Sequence, residues 1–207
     1  MPFDLATVLA PEHTAVITVE LERGVIGDLS FSPHLTDAAD AIGVVPNGAR
    51  LVQGARAAGV RVVHAVAELR ADRAGLSINN RMMAAIVKNP DQVLEGSRFA
   101  ELVPELGPEP EDIVCKRIHG LTPFNGTELD AILRNLQITT IVPVGVSVNV
   151  AILGLCLSAC DLGYDIVLPR DGVAGIPQEY ADMVLEHTLA FVATISTVDA
   201  VMDAWKR

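Results

Sequence analysis

Short apolar runs rich in β-branched residues alternate along the chain with longer stretches whose apolar residues recur at helical spacing. The first run, at residues 14–19, is apolar on both faces and stops abruptly at Glu20, which is typical of a central strand in a parallel sheet. The same criteria predict further strands at residues 60–66, 112–116, 140–144, 164–168 and 193–196. We therefore expect five or six strands.

Helices are predicted between these strands, at residues 46–58, 127–136, 148–162, 178–191 and 198–205. Gly59 and Gly163 end two of them, and the hydroxyl of Thr127 is placed to cap a third. Right-handed crossovers between parallel strands put helices on both faces of the sheet. The pattern thus predicts a three-layer α/β/α sandwich with a mainly parallel sheet, in a single domain over residues 1–207. Pro143 lies inside a predicted strand, where its missing N–H must not be needed.

Composition and charge narrow the class of protein. Hydrophobic residues make up 50% of the 207 residues and aromatic residues only 4%, which favours a core of Ala, Val, Ile and Leu. With 15 Lys and Arg against 26 Asp and Glu, the formal net charge is −11, so neither nucleic acid nor a membrane is an expected partner. The chain shows no signal-peptide pattern and no membrane-spanning run, so we expect a cytoplasmic protein.

Candidate chemistry lies where three strands end, because ligands of parallel sheets bind at the carboxyl ends of the strands. A carboxylate and an ammonium group brought together there can divide acid and base work. Charged residues also cluster at strand ends simply because the chain emerges into water, so this pattern alone leaves a solvated edge as an alternative. The residues concerned are Glu20, Glu22 and Arg23 after the first strand, Lys116, Arg117 and His119 after the third, and residues 145–149 after the fourth.

Several motifs resemble those of the isochorismatase-like hydrolases, also called the cysteine hydrolase superfamily. The resemblance covers nearly the whole chain and is carried by Lys116, by the segment FNGTELD at 124–130, by Gly145-Val146-Ser147, and by Gly163-Tyr164 with Asp171. It implies a three-layer α/β/α fold with its site at the strand ends. It also implies a small-molecule substrate and a homo-oligomer, either a dimer or a larger assembly.

In that family the catalytic set is an Asp after the first strand, a Lys after the third and a Cys at the start of the helix after the fourth. By this resemblance the matching positions are Glu20, Lys116 and Ala151. Glu in place of Asp keeps the charge and moves it by one methylene. Ala151 removes the nucleophile, so the covalent amidase mechanism cannot operate at this position.

The three cysteines are not expected to replace this nucleophile. Cys156 lies five residues beyond Ala151 on the predicted helix, which turns it away from the site face, and Cys160 lies deeper still. Cys115 precedes Lys116 in a strand and therefore points to the opposite face of the sheet. All three are interpreted as apolar filling. A cysteine amidohydrolase that uses Cys156 is the weakest alternative.

The resemblance also implies which residues bind substrate. Family members often hold the peptide bond at the position of Val146 and Ser147 as cis, with backbone N–H groups turned toward the substrate. The helix start at Val150 would add amides to the same anion-attracting end. The residues themselves suggest Asn149, His119, Phe124 and Arg70 as further candidates. A helix N-terminal role for Asn149, and loop or packing roles for the other three, are equally open alternatives.

Metal binding is not expected. Relatives that are nicotinamidases carry an Asp and two His after the second strand, which hold a divalent metal. Residues 64–72 read HAVAELRAD here, with neither that spacing nor a second His. We predict no metal and no other cofactor.

Two functions stay open. In the first, the protein is a hydrolase that works without a cysteine: Glu20 protonates a small substrate such as a vinyl ether, Lys116 orients the acid or the substrate, and water completes the reaction. In the second, it is a catalytically impaired pseudoenzyme that binds a small metabolite or serves as an oligomeric partner. Retention of Lys116 favours the first function, and the loss of the Cys favours the second.

Overall fold

A computed structural model describes residues 4–89 and 93–206, and over these residues the chain forms a three-layer α/β/α sandwich around seven strands that pair in parallel. The predicted fold class is confirmed. The strands are β1 (Thr14–Val19), β2 (Arg61–Ala67), β3 (Ile113–Arg117), β4 (Thr140–Val146), β5 (Asp165–Pro169), β6 (Val173–Ala174) and β7 (Thr194–Ser196). They lie in the order β3-β2-β1-β4-β5-β7, and β6 pairs with β4.

Helices cover both faces of the sheet and enclose one apolar core on each face. The helices of the described ranges are α1 (Leu5–Val8), α2 (Pro33–Ile42), α3 (Val44–Ala58), α4 (Arg81–Ile86), α5 (Leu129–Asn135), α6 (Leu153–Asp161), α7 (Gln178–His187) and α8 (Val198–Ala204). Helices α5, α6 and α7 contribute to one core, and α2, α3 and α8 to the other. Within the described ranges, no helix has the length and apolar character needed to cross a membrane.

Several elements differ from the prediction at their ends. Strand β3 runs one residue further than expected, because the carbonyl oxygen of Arg117 still accepts from the Glu68 N–H at 3.0 Å. The helix predicted at 178–191 ends at His187, since Thr188 leaves the helical conformation with φ −128°. The helix predicted at 148–162 begins as a π-helical turn, Val148–Ile152, before α6. Elements α1, α4 and β6 were not predicted, because they are only four, six and two residues long, and the ten-residue helix α2 was not predicted either.

Strand β4 resolves the difficulty posed by Pro143 and brings the polypeptide close to the end of β1. Strand β5 pairs with the first two residues of β4 and β6 with its last two, so Pro143 lies in the gap between the two pairings. A Cβ at Gly145 would lie 2.1 Å from the carbonyl oxygen of Val19. Only glycine therefore lets the carboxyl ends of β1 and β4 approach this closely.

Candidate functional site

A pocket of about 310 Å³ opens at the carboxyl ends of four neighbouring strands. The sheet contributes Glu20 directly after β1, Ala67 at the end of β2, Arg117 at the end of β3 and Ser147 directly after β4. This is the edge at which parallel sheets bind ligands. The volume is at the small end of the range for small-molecule sites.

The remaining walls of the pocket are largely apolar. Helix α4 contributes Met82, Met83 and Ile86, and the loops that follow β1 and β3 contribute Phe31 and Leu121. The ring of Phe31 stacks on Phe99 with 5.2 Å between centroids and 7° between planes. Apolar walls with a few polar groups are typical of a small-molecule site.

Glu20 and Arg117 form an ion pair in this pocket. Arg117 Nη2 donates to Glu20 Oε1, and only 7% of the Arg117 side chain and 18% of the Glu20 side chain are exposed. Glu20 also has φ +54°, in the left-handed region that residues with a side chain seldom adopt. Its N–H donates to the carbonyl oxygen of Ala65 at 3.1 Å. Strained backbone of this kind is concentrated at functional sites.

Glu22 is completely buried next to this pair. Its Oε1 accepts from the Ala67 N–H at 2.6 Å, whereas its Oε2 has no partner in the described part of the chain. Burial first, and then the Glu20 carboxylate, raise the pKa of Glu22 to about 8, against the opposing effects of the Ala67 N–H and Arg117. Glu22 is therefore protonated at neutral pH. We call Glu20, Glu22 and Arg117 the site cluster.

Four residues predicted for the site lie together at the pocket. Glu20, His119, Ser147 and Val150 all line it. The peptide bond between Val146 and Ser147 is cis, as the resemblance implies. The chemical roles expected for these residues stay predictions.

Lys116 does not line the pocket. Successive residues of β3 face opposite sides of the sheet, so Arg117 is buried and Lys116 is exposed. Lys116 Nζ lies 3.0 Å from Glu68 Oε2 and 3.6 Å from Glu95 Oε1, and the hydrogen bond that Lys116 donates to Glu68 is the main reason that the pKa of Lys116 is raised. This corrects the expectation that Lys116 works beside Glu20, because Arg117 is the cation that reaches it.

Three residues predicted to lie at the site after β4 are directed elsewhere. Ala151 and Val146 are buried in the two cores on opposite faces of the sheet. Asn149 Nδ2 donates to the carbonyl oxygen of Ile176 at 3.1 Å, which ties the π-helical turn to the segment after β6. The position that the resemblance assigns to the nucleophile is therefore occupied by a methyl group inside the core.

Phe124 and Arg70 do not line the pocket, which agrees with the alternative of packing or loop residues. Phe124 is buried and packs against Tyr164 with 5.9 Å between ring centroids. Arg70 is exposed and donates to both carboxylate oxygens of Asp72, at 2.9 and 2.7 Å. One residue is core packing and the other belongs to a surface ion pair.

The cysteines also lie away from the pocket lining. Cys115 and Cys156 are buried, and burial raises the pKa of the Cys156 thiol to about 12. A thiol with such a high pKa stays protonated near neutral pH and is a poor nucleophile. Cys160 is exposed on the last turn of α6, which corrects its interpretation as core filling.

Arg117 and Glu22 belong to the site cluster, whereas the sequence analysis placed them at strand ends but outside its catalytic and substrate-binding sets. Lys116 and Arg117 are adjacent cations, and the choice between them depends on where β3 ends relative to β2. Glu22 is buried and forms an antiparallel bridge with Leu102, a residue 80 positions away in the chain. The local sequence pattern does not predict this contact.

A second buried group of polar residues, Thr18, His64, Asp112 and Arg56, lies outside the pocket lining, and we call it the structural cluster. Thr18 Oγ1 and His64 Nδ1 are 2.7 Å apart, and His64 Nε2 and Asp112 Oδ2 are 3.2 Å apart. Arg56 donates to both Asp112 oxygens, at 3.2 and 2.5 Å. Burial lowers the pKa of His64, against the opposing effect of Asp112. Within the described ranges, no group of three or more His, Cys, Asp and Glu residues is arranged to hold a metal ion.

Comparison with curated proteins finds relatives of similar length. The uncharacterized isochorismatase family protein YecD from Escherichia coli O157:H7 is 26% identical over 205 residues, which cover 95% of this chain and 98% of the relative. Ureidoacrylate amidohydrolase RutB from Pantoea ananatis is 26% identical over 209 residues, with coverages of 94% and 82%.

Solved structures share the fold. An isochorismatase family protein from Burkholderia thailandensis superposes with a TM-score of 0.78 at 22% identity, covering 95% of this chain and 97% of that one. N-carbamoylsarcosine amidase from Thermoplasma acidophilum superposes with a TM-score of 0.70 at 21% identity, with coverages of 90% and 97%. The sequence profile of the Isochorismatase domain matches residues 14–200. With this match extending from β1 into α8, the chain belongs to the isochorismatase family.

Proposed function

We propose that this protein is a hydrolase of small organic molecules that uses Glu20 and water and forms no covalent enzyme intermediate. The observation that carries the proposal is the ion pair of Glu20 and Arg117 inside a largely apolar pocket at the carboxyl edge of the sheet. Membership of a family of hydrolases supports it. RutB and the Thermoplasma protein are named as an amidohydrolase and an amidase, so bonds to a carbonyl carbon are the first substrates to test.

Glu20 handles the proton in this proposal. Its Oε1 accepts from Arg117, which leaves Oε2 for a water molecule. Oε2 takes a proton from that water while the water oxygen bonds to the electrophilic carbon of the substrate, and the same proton passes to the leaving group as the old bond breaks. A carboxylate that accepts from a guanidinium is arranged as a base. The first proton transfer therefore runs opposite to the one expected from the sequence, in which Glu20 begins as the donor.

Arg117 positions this base. Its planar guanidinium donates to Glu20 and is held inside the pocket with 7% of the side chain exposed. Fixed orientation of the carboxylate lowers the barrier because the reacting atoms do not have to be brought into line. Lys116 has no part in this mechanism.

A small-molecule binding protein without turnover is the second candidate. The buried methyl group of Ala151 favours it, because this is the position at which related enzymes carry their nucleophile. The pocket and the ion pair are equally compatible with binding alone.

A hydrolysis screen separates the two candidates. Wild type, Glu20→Gln, Arg117→Met and the matched control Lys116→Met are incubated with small amides, esters, ureas and vinyl ethers, and products are detected by mass spectrometry. We expect Glu20→Gln and Arg117→Met to lose turnover by about 100-fold or more, while Lys116→Met keeps the wild-type rate because its side chain is outside the pocket. A Glu20→Gln variant that turns over substrate at the wild-type rate would exclude the mechanism. If the wild type hydrolyses no substrate of the panel, the binding protein is favoured.

A further inference from the structure

We infer that the pocket selects uncharged ligands: it takes a compact molecule with an apolar body and a neutral hydrogen-bonding end, and it rejects the corresponding carboxylate. This inference deepens the proposed function by naming the ligand class, and it rests on the same pocket. Its test measures binding and needs no turnover.

The first support is the charge of the pocket. Of the described residues that line it, Glu20 and Arg117 carry full formal charges, and these are of opposite sign and paired with each other. Glu22 adjoins the pair without adding charge at neutral pH, because it is protonated there. His119 is the remaining titratable side chain of the described lining. The formal charges of the acidic and guanidinium side chains in the described lining therefore cancel.

The second support is the cost of a carboxylate in this environment. An entering carboxylate loses its water against apolar walls and meets a guanidinium whose charge Glu20 already offsets. Two carboxylates would then share one cation, and like charges in such a site are unfavourable. Lys116 and Arg70 do not help, because both lie outside the pocket and are paired with other carboxylates. The net charge of −11 adds repulsion at long range.

The third support is the size of the pocket and the flexibility of the side chains that line it. A volume of about 310 Å³ holds roughly ten non-hydrogen atoms, taking about 30 Å³ for each water-sized group. Met82 and Met83 line one wall, and flexible thioether side chains adapt to aliphatic and aromatic shapes alike. Benzamide and its analogues match this volume and serve as probes.

Binding to the wild type is measured first. Benzoate, benzamide and benzyl alcohol share one ring and differ at one end, and hexanoate, hexanamide and hexanol form a second series with a flexible body. Isothermal titration calorimetry at pH 7 is expected to show the amides or alcohols binding at least about tenfold more tightly than the matching carboxylates. Benzoate and hexanoate binding as tightly as the neutral members would overturn the inference, and so would absence of binding by every neutral member at millimolar concentrations.

A charge exchange sharpens the result. Glu20→Gln keeps an oxygen that can accept from Arg117 and leaves the guanidinium charge without an opposite charge, so the preference should reverse toward benzoate. Asp72→Asn is the matched control, since it also removes one negative charge but from an exposed pair outside the pocket, and it should keep the wild-type preference. Equal preferences in Glu20→Gln and wild type would contradict the inference. If Glu20→Gln does not fold, the wild-type series decides alone.

The binding series and the hydrolysis screen fail independently. Tighter binding of the neutral probes without any hydrolysis would support this inference and contradict the proposed hydrolase function. Turnover that is confined to substrates bearing a carboxylate would support the proposed hydrolase and contradict the inferred ligand class.

Discussion

The site cluster and the structural cluster both bury carboxylates and cations, but they differ in how fully their hydrogen bonds are satisfied. Every side-chain nitrogen and oxygen of the structural cluster has at least one partner. In the site cluster, Glu22 Oε2 and Arg117 Nη1 are buried with no partner among the described residues. The backbone differs too, because Thr18 and His64 lie in register within β1 and β2, whereas Glu20 has a left-handed φ.

This difference separates burial that stabilises the fold from burial that serves a site. A saturated network in a low-dielectric interior holds its members in one arrangement. An unpaired buried donor or acceptor costs about 1–3 kcal/mol, and strained backbone adds to this. The pocket lies beside the unsatisfied cluster, so the features that weaken the fold are concentrated next to the place where a ligand would bind.

Breaking the structural cluster at its centre has the largest expected effect. Asp112 accepts from Arg56, from the Glu109 N–H and, in the matching tautomer, from His64. Asp112→Ala removes the carboxylate that binds both Arg56 and His64, and among the described residues Arg56 keeps only the Leu106 carbonyl oxygen and the exposed Glu109 as partners. The free energy of unfolding should therefore fall by about 3–5 kcal/mol in urea denaturation. Benzamide affinity of the folded protein should not change, because Asp112 does not line the pocket. A loss below about 1 kcal/mol would mean that the saturated cluster contributes little.

Glu22→Gln tests the site cluster through its pH dependence. Folding raises the pKa of Glu22 from the ordinary 4.5 to about 8, so the folded state holds this proton more tightly than the unfolded state. The contribution of Glu22 to the free energy of unfolding of the wild type is therefore fully present below pH 4.5 and is lost as the pH rises through about 8. The Gln variant, which cannot ionise, should gain an advantage that grows from near zero in acid to roughly 2–4 kcal/mol in mild alkali.

The measurement is urea denaturation of both proteins across this pH range. Glu101→Gln provides the control, because Glu101 is an exposed carboxylate paired with Arg23, and its stability difference from wild type should stay small throughout. A difference between Glu22→Gln and wild type that does not change with pH would contradict a protonated Glu22.

Thr18→Val has the smallest expected effect on stability and tests whether a single hydroxyl group of the structural cluster stabilises the fold. The variant leaves His64 Nδ1 without its partner inside the sheet, so a loss of about 1–2 kcal/mol is expected in thermal or urea unfolding. Thr140 supplies a matched control, since it is equally buried but its Oγ1 has no partner among the described residues. Thr140→Val should be neutral or slightly stabilising, and equal losses in the two variants would refute the distinction.

Much of the fold was predictable from local pattern. Strand β1 was predicted at its observed bounds, because a run that is apolar on both faces and ends at a charge has few other interpretations. The edge of the sheet that carries the site followed from parallel strand order, and Glu20, His119, Ser147 and Val150 were found there. The local pattern left open whether Phe124 lines the pocket or packs in the core, because its packing against Tyr164 joins residues 40 positions apart.

The sequence by itself determined the layers of the protein, the order of strand and helix, and the absence of a thiol at position 151. These depend on hydrophobic periodicity and residue identity, which are local properties. Only the tertiary structure decided which of two adjacent cations contacts Glu20, because a shift of one residue in the pairing register of β3 would reverse the face on which each side chain lies. It also decided that Glu22 is a buried, protonated acid, because the charge state of a carboxyl group depends on what distant parts of the chain place around it.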